Sequence, residues 1–101
     1  MRILVMFDLP VGTESERKNY RLFRKHLIKS GFLMLQESVY CKMMTSPSME
    51  KSMKNMVHNN KPPKGLIQTI TITEKQFVKM DYIVGEYTSD IIDSEERLII
   101  L

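Results

Sequence analysis

Ile3-Leu4-Val5-Met6-Phe7 is an uninterrupted apolar run near the start of the chain, and Asp8-Leu9-Pro10 follows it directly. Successive residues of a strand point to opposite faces, so this run predicts a central strand that is covered on both sides. Pro10 has no N–H to donate to a ladder, and the strand should therefore end near Asp8. The other elements are predicted outward from this strand.

A long helix is predicted from Thr13 or Ser15 to about Ser30. Thr13 and Glu16 have the spacing of a capping box, and Gly31 suits the position just after a helix C-terminus. Three residues recur at helical spacing on one apolar face: Tyr20, Phe23 and Leu27. This face should pack on the sheet.

Residues 32–35 and 38–43 read as two strands joined by a tight turn at Gln36-Glu37, although a single long bulged strand is the alternative. Ser46-Pro47 opens a second helix, whose apolar stripe comprises Met49, Met53, Met56 and Val57. A basic loop over residues 59–65 ends this helix. Residues 66–73 form the next strand, and a capping box at Thr73 starts a short helical turn. Short strands are expected at residues 82–84 and 97–101, on either side of an acidic segment.

The predicted order is β-α-β-β-α-β with a C-terminal extension, which is the ferredoxin-like order of an α+β protein. The chain of 101 residues should form a single domain over 1–101, with residues from about 82 to 101 contacting a partner protomer. Such a fold covers one sheet face with helices. Because the first strand is apolar on both faces, we expect a homodimer packed through its sheet faces. Four terminal residues are expected at this partner interface: Leu98, Ile99, Ile100 and Leu101.

Composition excludes several classes of protein. Cys41 is the single cysteine, which excludes an internal disulfide framework and a cysteine-based zinc site and fits a reduced cytosolic setting. The longest apolar run is far too short to span a membrane, so no membrane association is expected. The formal net charge of +3 favours anionic partners only mildly. The distribution of the basic residues is more informative than their sum.

Basic residues concentrate in the first helix, where Arg17, Lys18, Arg21, Arg24 and Lys25 lie beside the apolar face. Such side chains would contact phosphates without reading sequence. Lys61 and Lys64 flank Pro62-Pro63 and would extend the same path. The alternative is an ordinary solvated helix face.

Asp8 is the residue whose position most suggests chemistry. A carboxylate exposed at the end of a central strand could ligate a hard cation such as Mg²⁺, and two copies in a dimer could share one ion. The alternative is that Asp8 caps the turn made with Leu9 and Pro10. His26 and His58 are predicted at the surface, without catalytic roles.

Six segments of the sequence are informative as a set: Ile3-Leu4-Val5-Met6-Phe7-Asp8-Leu9-Pro10, Glu16-Arg17, Gly31-Phe32, Gln36-Glu37-Ser38-Val39-Tyr40, Thr71-Ile72-Thr73-Glu74-Lys75-Gln76-Phe77 and Ser94-Glu95-Glu96-Arg97. Together they resemble CRISPR-associated protein 2. The Phe-Asp-Leu-Pro start, with the Thr-Glu-Lys-Gln-Phe and Ser-Glu-Glu-Arg segments, is most similar to versions from type II-A systems. The resemblance covers essentially the whole chain. It implies a cytoplasmic prokaryotic protein with a ferredoxin-like fold.

The same resemblance implies a homodimer that binds duplex protospacer DNA through its backbone and bridges dimers of the CRISPR integrase, adaptation protein 1. It also implies Mg²⁺-dependent endonuclease activity on RNA or DNA, with Asp8 as the catalytic and metal-binding residue. Ser38 and Tyr40 correspond to family positions near that aspartate. Many nuclease members carry an arginine shortly before this segment, and residues 32–35 contain none.

The sequence and the resemblance leave three functions open. A non-catalytic DNA-binding scaffold is favoured, and a nuclease using Asp8 comes second. An RNA-recognition module shares the topology but needs an aromatic residue after a basic-glycine pair. Lys64-Gly65 is followed by Leu66 and Ile67, which disfavours that third function.

Overall fold

The computed structural model describes residues 1–86. Its elements are β1 (Arg2–Asp8), α1 (Glu14–Lys29), β2 (Leu33–Gln36), β3 (Val39–Met43), α2 (Pro47–Asn59), β4 (Leu66–Ile72) and α3 (Glu74–Val78). The strands form one sheet in the order β2-β3-β1-β4, and every neighbouring pair is antiparallel. This arrangement confirms the predicted α+β, ferredoxin-like fold with β1 at the centre of the sheet.

Alternation along β1 divides its side chains between two faces of the sheet. Ile3, Val5 and Phe7 lie on the face covered by α1 and α2 and belong to one buried cluster. Phe23 and Leu27 reach this cluster from α1, and the methionine stripe of α2 packs against it. The structure therefore confirms the predicted apolar faces of both helices.

Local signals in the sequence place the helix ends. Thr13 and Thr73 each close a capping box, with Glu16 and Gln76 respectively, and these boxes start α1 and α3. Ser46 accepts a hydrogen bond from the N–H of Met49 at the start of α2. These side chains satisfy backbone N–H groups that the first helical turn leaves without partners.

Two boundary predictions need correction. The hairpin turns at Glu37-Ser38, one residue later than predicted, and Ser38 takes a left-handed φ of 65°. The register shifts between Met34 and Gln36, so the hairpin also contains an irregularity of the kind considered as its alternative. Residues 82–84 are not a strand. A strand needs a hydrogen-bonded neighbour, and none of the four described strands pairs with them.

The predicted terminal strand at 97–101 lies outside the described residues, as does most of the acidic segment. Within residues 1–86, no helix is long and apolar enough to cross a membrane.

Candidate functional site

Asp8 ends β1 at the rim of a shallow depression on the sheet face opposite α1 and α2. Its side chain is exposed, and in the register of the sheet it lies opposite Leu66 of β4. The neighbouring Phe7 N–H donates to the carbonyl of Ser38 over 3.0 Å, which holds the β2–β3 turn beside the end of β1. The depression has a volume of about 250 Å³, and its lining includes Met6, Ser38, Val39 and Gln68.

A single chain supplies few side chains to this depression that could ligate a metal ion. Asp8 is the only carboxylate among its described lining residues, and residues 1–86 contain no group of three or more histidine, cysteine, aspartate or glutamate side chains placed to share an ion. Mg²⁺ often binds through one or two carboxylates and keeps several waters. The exposed carboxylate fits such a site, provided that a second chain or a substrate phosphate supplies further oxygen atoms.

Ser38 and Tyr40 lie in different environments. Ser38 lines the depression beside Asp8. Tyr40 is only 1% exposed and lies in the core under the helices, with its ring stacked on Phe7 at a centroid distance of 5.8 Å. Its hydroxyl accepts a hydrogen bond from Arg24 Nε over 2.7 Å. The described geometry therefore couples Tyr40 to α1 rather than to the depression.

The hydrogen bond to Tyr40 fixes the position of Arg24, one of the basic residues of α1. This hydrogen bond raises the pKa of Arg24 above its ordinary value, with the electrostatic influence of the phenol as a smaller cause. Because arginine is charged at all relevant pH values, the hydrogen bond fixes the position of the Arg24 side chain and does not change its charge. The guanidinium is held at the edge of α1, and its two terminal nitrogens remain available for an anion.

The remaining basic residues of α1 lie on its solvent side. Arg17 is engaged locally, because its guanidinium donates to the carbonyl of Val11 over 3.1 Å and lies 3.8 Å from Glu14. Lys18, Arg21 and Lys25 are exposed and make no ion pair with any described residue. These three residues, together with Arg24, form what we call the α1 basic face.

Lys61 and Lys64 do not simply extend the α1 basic face. Lys64 lies across a groove from Glu16, Asn19 and Tyr20, which are on another side of α1. Lys61 and Lys64 also line a separate cavity, together with two residues of α2 that sequence reasoning did not assign: Lys54 and His58. Lys54 and His58 are four residues apart and therefore lie on one side of α2. Only the structure shows that the loop after α2 lies against this side.

The predicted interface residues 98–101 lie outside the described residues.

Residues 1–80 match the family model described as CRISPR associated protein Cas2. The chain belongs to this family. It is 48% identical over 101 residues to the CRISPR-associated endoribonuclease Cas2 of Treponema denticola, with all of both chains covered. It is 46% identical to the protein of the same name from Streptococcus mutans, covering 100% of this chain and 93% of that one.

A crystal structure of Streptococcus pyogenes Cas2 at pH 6.5 superposes with a TM-score of 0.65. It is 20% identical in sequence, and the match covers 83% of this chain and 100% of that one, so it supports the fold alone. The family match confirms the suspected resemblance, and the named relatives are all bacterial proteins. The chain is therefore a CRISPR-associated protein of a family whose curated members carry the name endoribonuclease.

Proposed function

We propose that this Cas2 chain acts in CRISPR adaptation as a homodimeric scaffold, which holds duplex protospacer DNA by its backbone and bridges dimers of the CRISPR integrase. The observation that carries the proposal is the α1 basic face. Its exposed cations are spread along one side of a helix and form no ion pair with any described residue.

A convex row of long cationic side chains suits a polyanionic backbone better than base edges. Lysine binds phosphate as a point charge, and arginine can bind it through two N–H groups. Neither contact carries sequence information when it is made to the backbone. The proposed scaffold would therefore hold protospacers of many sequences, with an affinity that falls steeply as salt rises.

The proposed dimer places two such faces on one particle. The sheet face opposite α1 and α2 retains exposed apolar side chains, including Leu66 at 57% and Ile70 at 48% exposure. An apolar sheet face of this kind is typical of an interface. Packing two sheets through it would leave α1 and α2 of both protomers on the outside, where DNA and integrase can reach them.

Charge reversal on α1 tests the scaffold. Arg21→Glu with Lys25→Glu should weaken binding of a short duplex at least about tenfold at low salt, because two phosphate contacts become repulsive. The slope of log K against log salt should become shallower by about 2. Fluorescence anisotropy across a salt series measures both quantities. Arg17 is left intact because it also supports the start of α1.

The matched control is Lys51→Glu with Lys79→Glu, which makes the same charge change at exposed positions on α2 and after α3. This variant should retain most of the wild-type affinity and slope. Equal losses in both double variants would show that net charge alone drives binding, and no loss in the α1 variant would remove α1 from the DNA path.

A second candidate function is a Mg²⁺-dependent endonuclease. The observation that favours it is the exposure of Asp8 at the end of β1, and the relatives' names point the same way. Asp8 from each protomer would hold the ion, which would supply a Lewis acid beside a phosphodiester. Ser38 would line the approach.

Asp8→Asn separates the two candidates, because it removes the charge and keeps the shape. Under the scaffold proposal, spacer integration with the cognate integrase continues, while any cleavage of RNA or DNA in Mg²⁺ is absent or lost. If integration and cleavage fall together while the variant remains dimeric, the chemistry of Asp8 is part of the function and the nuclease takes first place.

A further inference from the structure

A second concentration of positive charge lies on α2, away from the α1 basic face. Lys54, His58, Lys61 and Lys64 line one cavity of about 340 Å³, between the C-terminal half of α2, the loop that follows it and the start of β4. We call this cavity the α2 pocket. None of the described residues that line it is acidic, whereas Glu16 lines the neighbouring groove and Asp8 lines the depression.

The loop wall of the α2 pocket is held in place by the backbone. Gly65 has a φ of +110°, and a Cβ built on it would lie 2.8 Å from the carbonyl oxygen of Asp8 and 2.6 Å from Leu9 Cδ2. The loop thus passes too close to the end of β1 for any side chain at position 65. Pro62 and Pro63 restrict the loop further because each has a fixed φ. The lysines on this loop therefore project from a constrained backbone.

The cations of the pocket are only partly used within the protein. Lys61 Nζ donates to the carbonyl of His58 over 3.1 Å, and Lys54 Nζ lies 3.5 Å from Glu50 Oε1. An ammonium group has three N–H donors, so each of these contacts leaves donors for an anion. The negative end of the α2 dipole favours a cation near the helix C-terminus, which explains the position of Lys61. It does not explain Lys54, which lies further back in the helix, or Lys64, which lies beyond its end.

We propose that the α2 pocket binds one phosphate group, separately from the duplex backbone bound by the α1 basic face. Three ammonium groups around one concave site concentrate positive potential on a compact anion, and low-dielectric walls strengthen that field. A convex helix face instead spreads its charges along an extended polyanion. The phosphate would come either from the end of a nucleic acid or from a free phosphate compound, because both offer the same chemistry.

Titration with inorganic phosphate tests the pocket directly in the full-length chain. Two-dimensional amide NMR should show saturable shifts confined to the C-terminal half of α2 and residues 61–69. Lys61→Gln with Lys64→Gln should raise the dissociation constant at least about tenfold, as expected for loss of charged hydrogen bonds. The control, Lys75→Gln with Lys79→Gln, removes the same charge at exposed positions in and after α3 and should leave the constant within a factor of about two.

Two further ligands identify the source of the phosphate. A short duplex with 5′-phosphates and the same duplex with 5′-hydroxyl ends are each tested for competition with inorganic phosphate. If only the phosphorylated duplex competes, the pocket binds nucleic-acid ends. Equal competition by a nucleoside monophosphate assigns it to free phosphate compounds. Shifts that never saturate, or an unchanged constant in the Lys61/Lys64 variant, would overturn the proposal. Because the probe is inorganic phosphate, this result is independent of whether α1 binds duplex DNA.

Discussion

The two faces of the sheet are stabilised differently, although both are built from the same central strand. On one face, Ile3, Val5 and Phe7 pack beneath α1 and α2 in a continuous apolar core. On the other, burial changes along β1 from Arg2, which is 3% exposed, to Asp8, which is exposed. One face therefore buries a continuous apolar core, whereas the other remains partly open.

The covered part of the second face depends on a charged side chain. Arg2 Nε donates to Glu74 Oε1 over 2.9 Å and to Oε2 over 3.1 Å, and its guanidinium lies 4.0 Å from the ring centroid of Phe77. This arrangement attaches α3 to the beginning of β1. Stacking on the ring buries the guanidinium and the bond to Glu74 keeps it paired, which offsets the cost of removing the charge from water.

The largest effect is expected from breaking the first face. Phe23 is 1% exposed and meets the Phe7 ring edge-on at a centroid distance of 5.1 Å. Phe23→Ala should lower the free energy of unfolding by about 3–5 kcal/mol through lost burial and the cavity left behind. Urea denaturation measures this loss.

Domains of this kind have a stability of roughly 5–15 kcal/mol, and at the lower end of that range such a loss would leave little folded protein, so Phe23→Leu provides a graded companion. We expect it to cost about 1 kcal/mol, because it keeps most of the apolar volume. If both variants were as stable as the wild type, the helix-covered face would not be the main source of stability.

A smaller effect is expected at the second face. Glu74→Gln removes the charge that faces Arg2, and Glu74 is itself 42% exposed, so solvent screens the pair. We expect a loss of about 1 kcal/mol that diminishes as salt is added. The measurement is thermal or urea unfolding at two ionic strengths.

Lys75→Gln, at the next position of α3, is the matched control because Lys75 is exposed and makes no ion pair with any described residue. It should change stability by no more than about 0.5 kcal/mol. Equal effects of the two substitutions would mean that the Arg2–Glu74 pair does not attach α3 to the sheet.

The helix-covered face was predictable from the sequence, because it depends on periodicities that each segment displays by itself. The apolar run of β1, the helical spacing of Phe23 and Leu27, and the capping boxes all act over a few residues. The hairpin was also predicted, but its turn was placed one residue early. The pairing of β2 with β3 shifts register between Met34 and Gln36, and the turn accordingly lies at Glu37-Ser38. This shift is visible only once the two strands are paired in the structure.

The candidate site was less predictable, because it depends on distant segments meeting. Asp8 was identified from its place at the end of a strand, and the structure leaves it exposed there. Tyr40 lies on the core side of β3, two positions after Ser38, and its hydroxyl contacts Arg24. No local pattern in the sequence showed that Lys54 and His58 share a cavity with Lys61, since the path of the loop is set by the close approach of Gly65 to β1.

The smallest effect on folding is expected at the open part of the second face, where the proposed dimer forms. Ile70 lies in β4 opposite Leu4 and is 48% exposed. Ile70→Lys should change the stability of one chain by no more than about 0.5 kcal/mol, because the new side chain remains in water. In a dimer packed through this face, however, the charge would be buried, and the dimer dissociation constant should rise at least about tenfold.

Analytical ultracentrifugation of Ile70→Lys beside Ile28→Lys distinguishes a specific interface from general apolar association. Ile28 is 52% exposed on α1, so the two substitutions make the same change at similar exposure on opposite sides of the molecule. Dissociation in the Ile70 variant alone would assign the dimer to the open sheet face. Equal self-association of both variants and the wild type would instead show that this face is not the interface. The exposed apolar residues of β4 would then need another partner, since the two-fold scaffold proposed here requires them to be covered by a second copy of the chain.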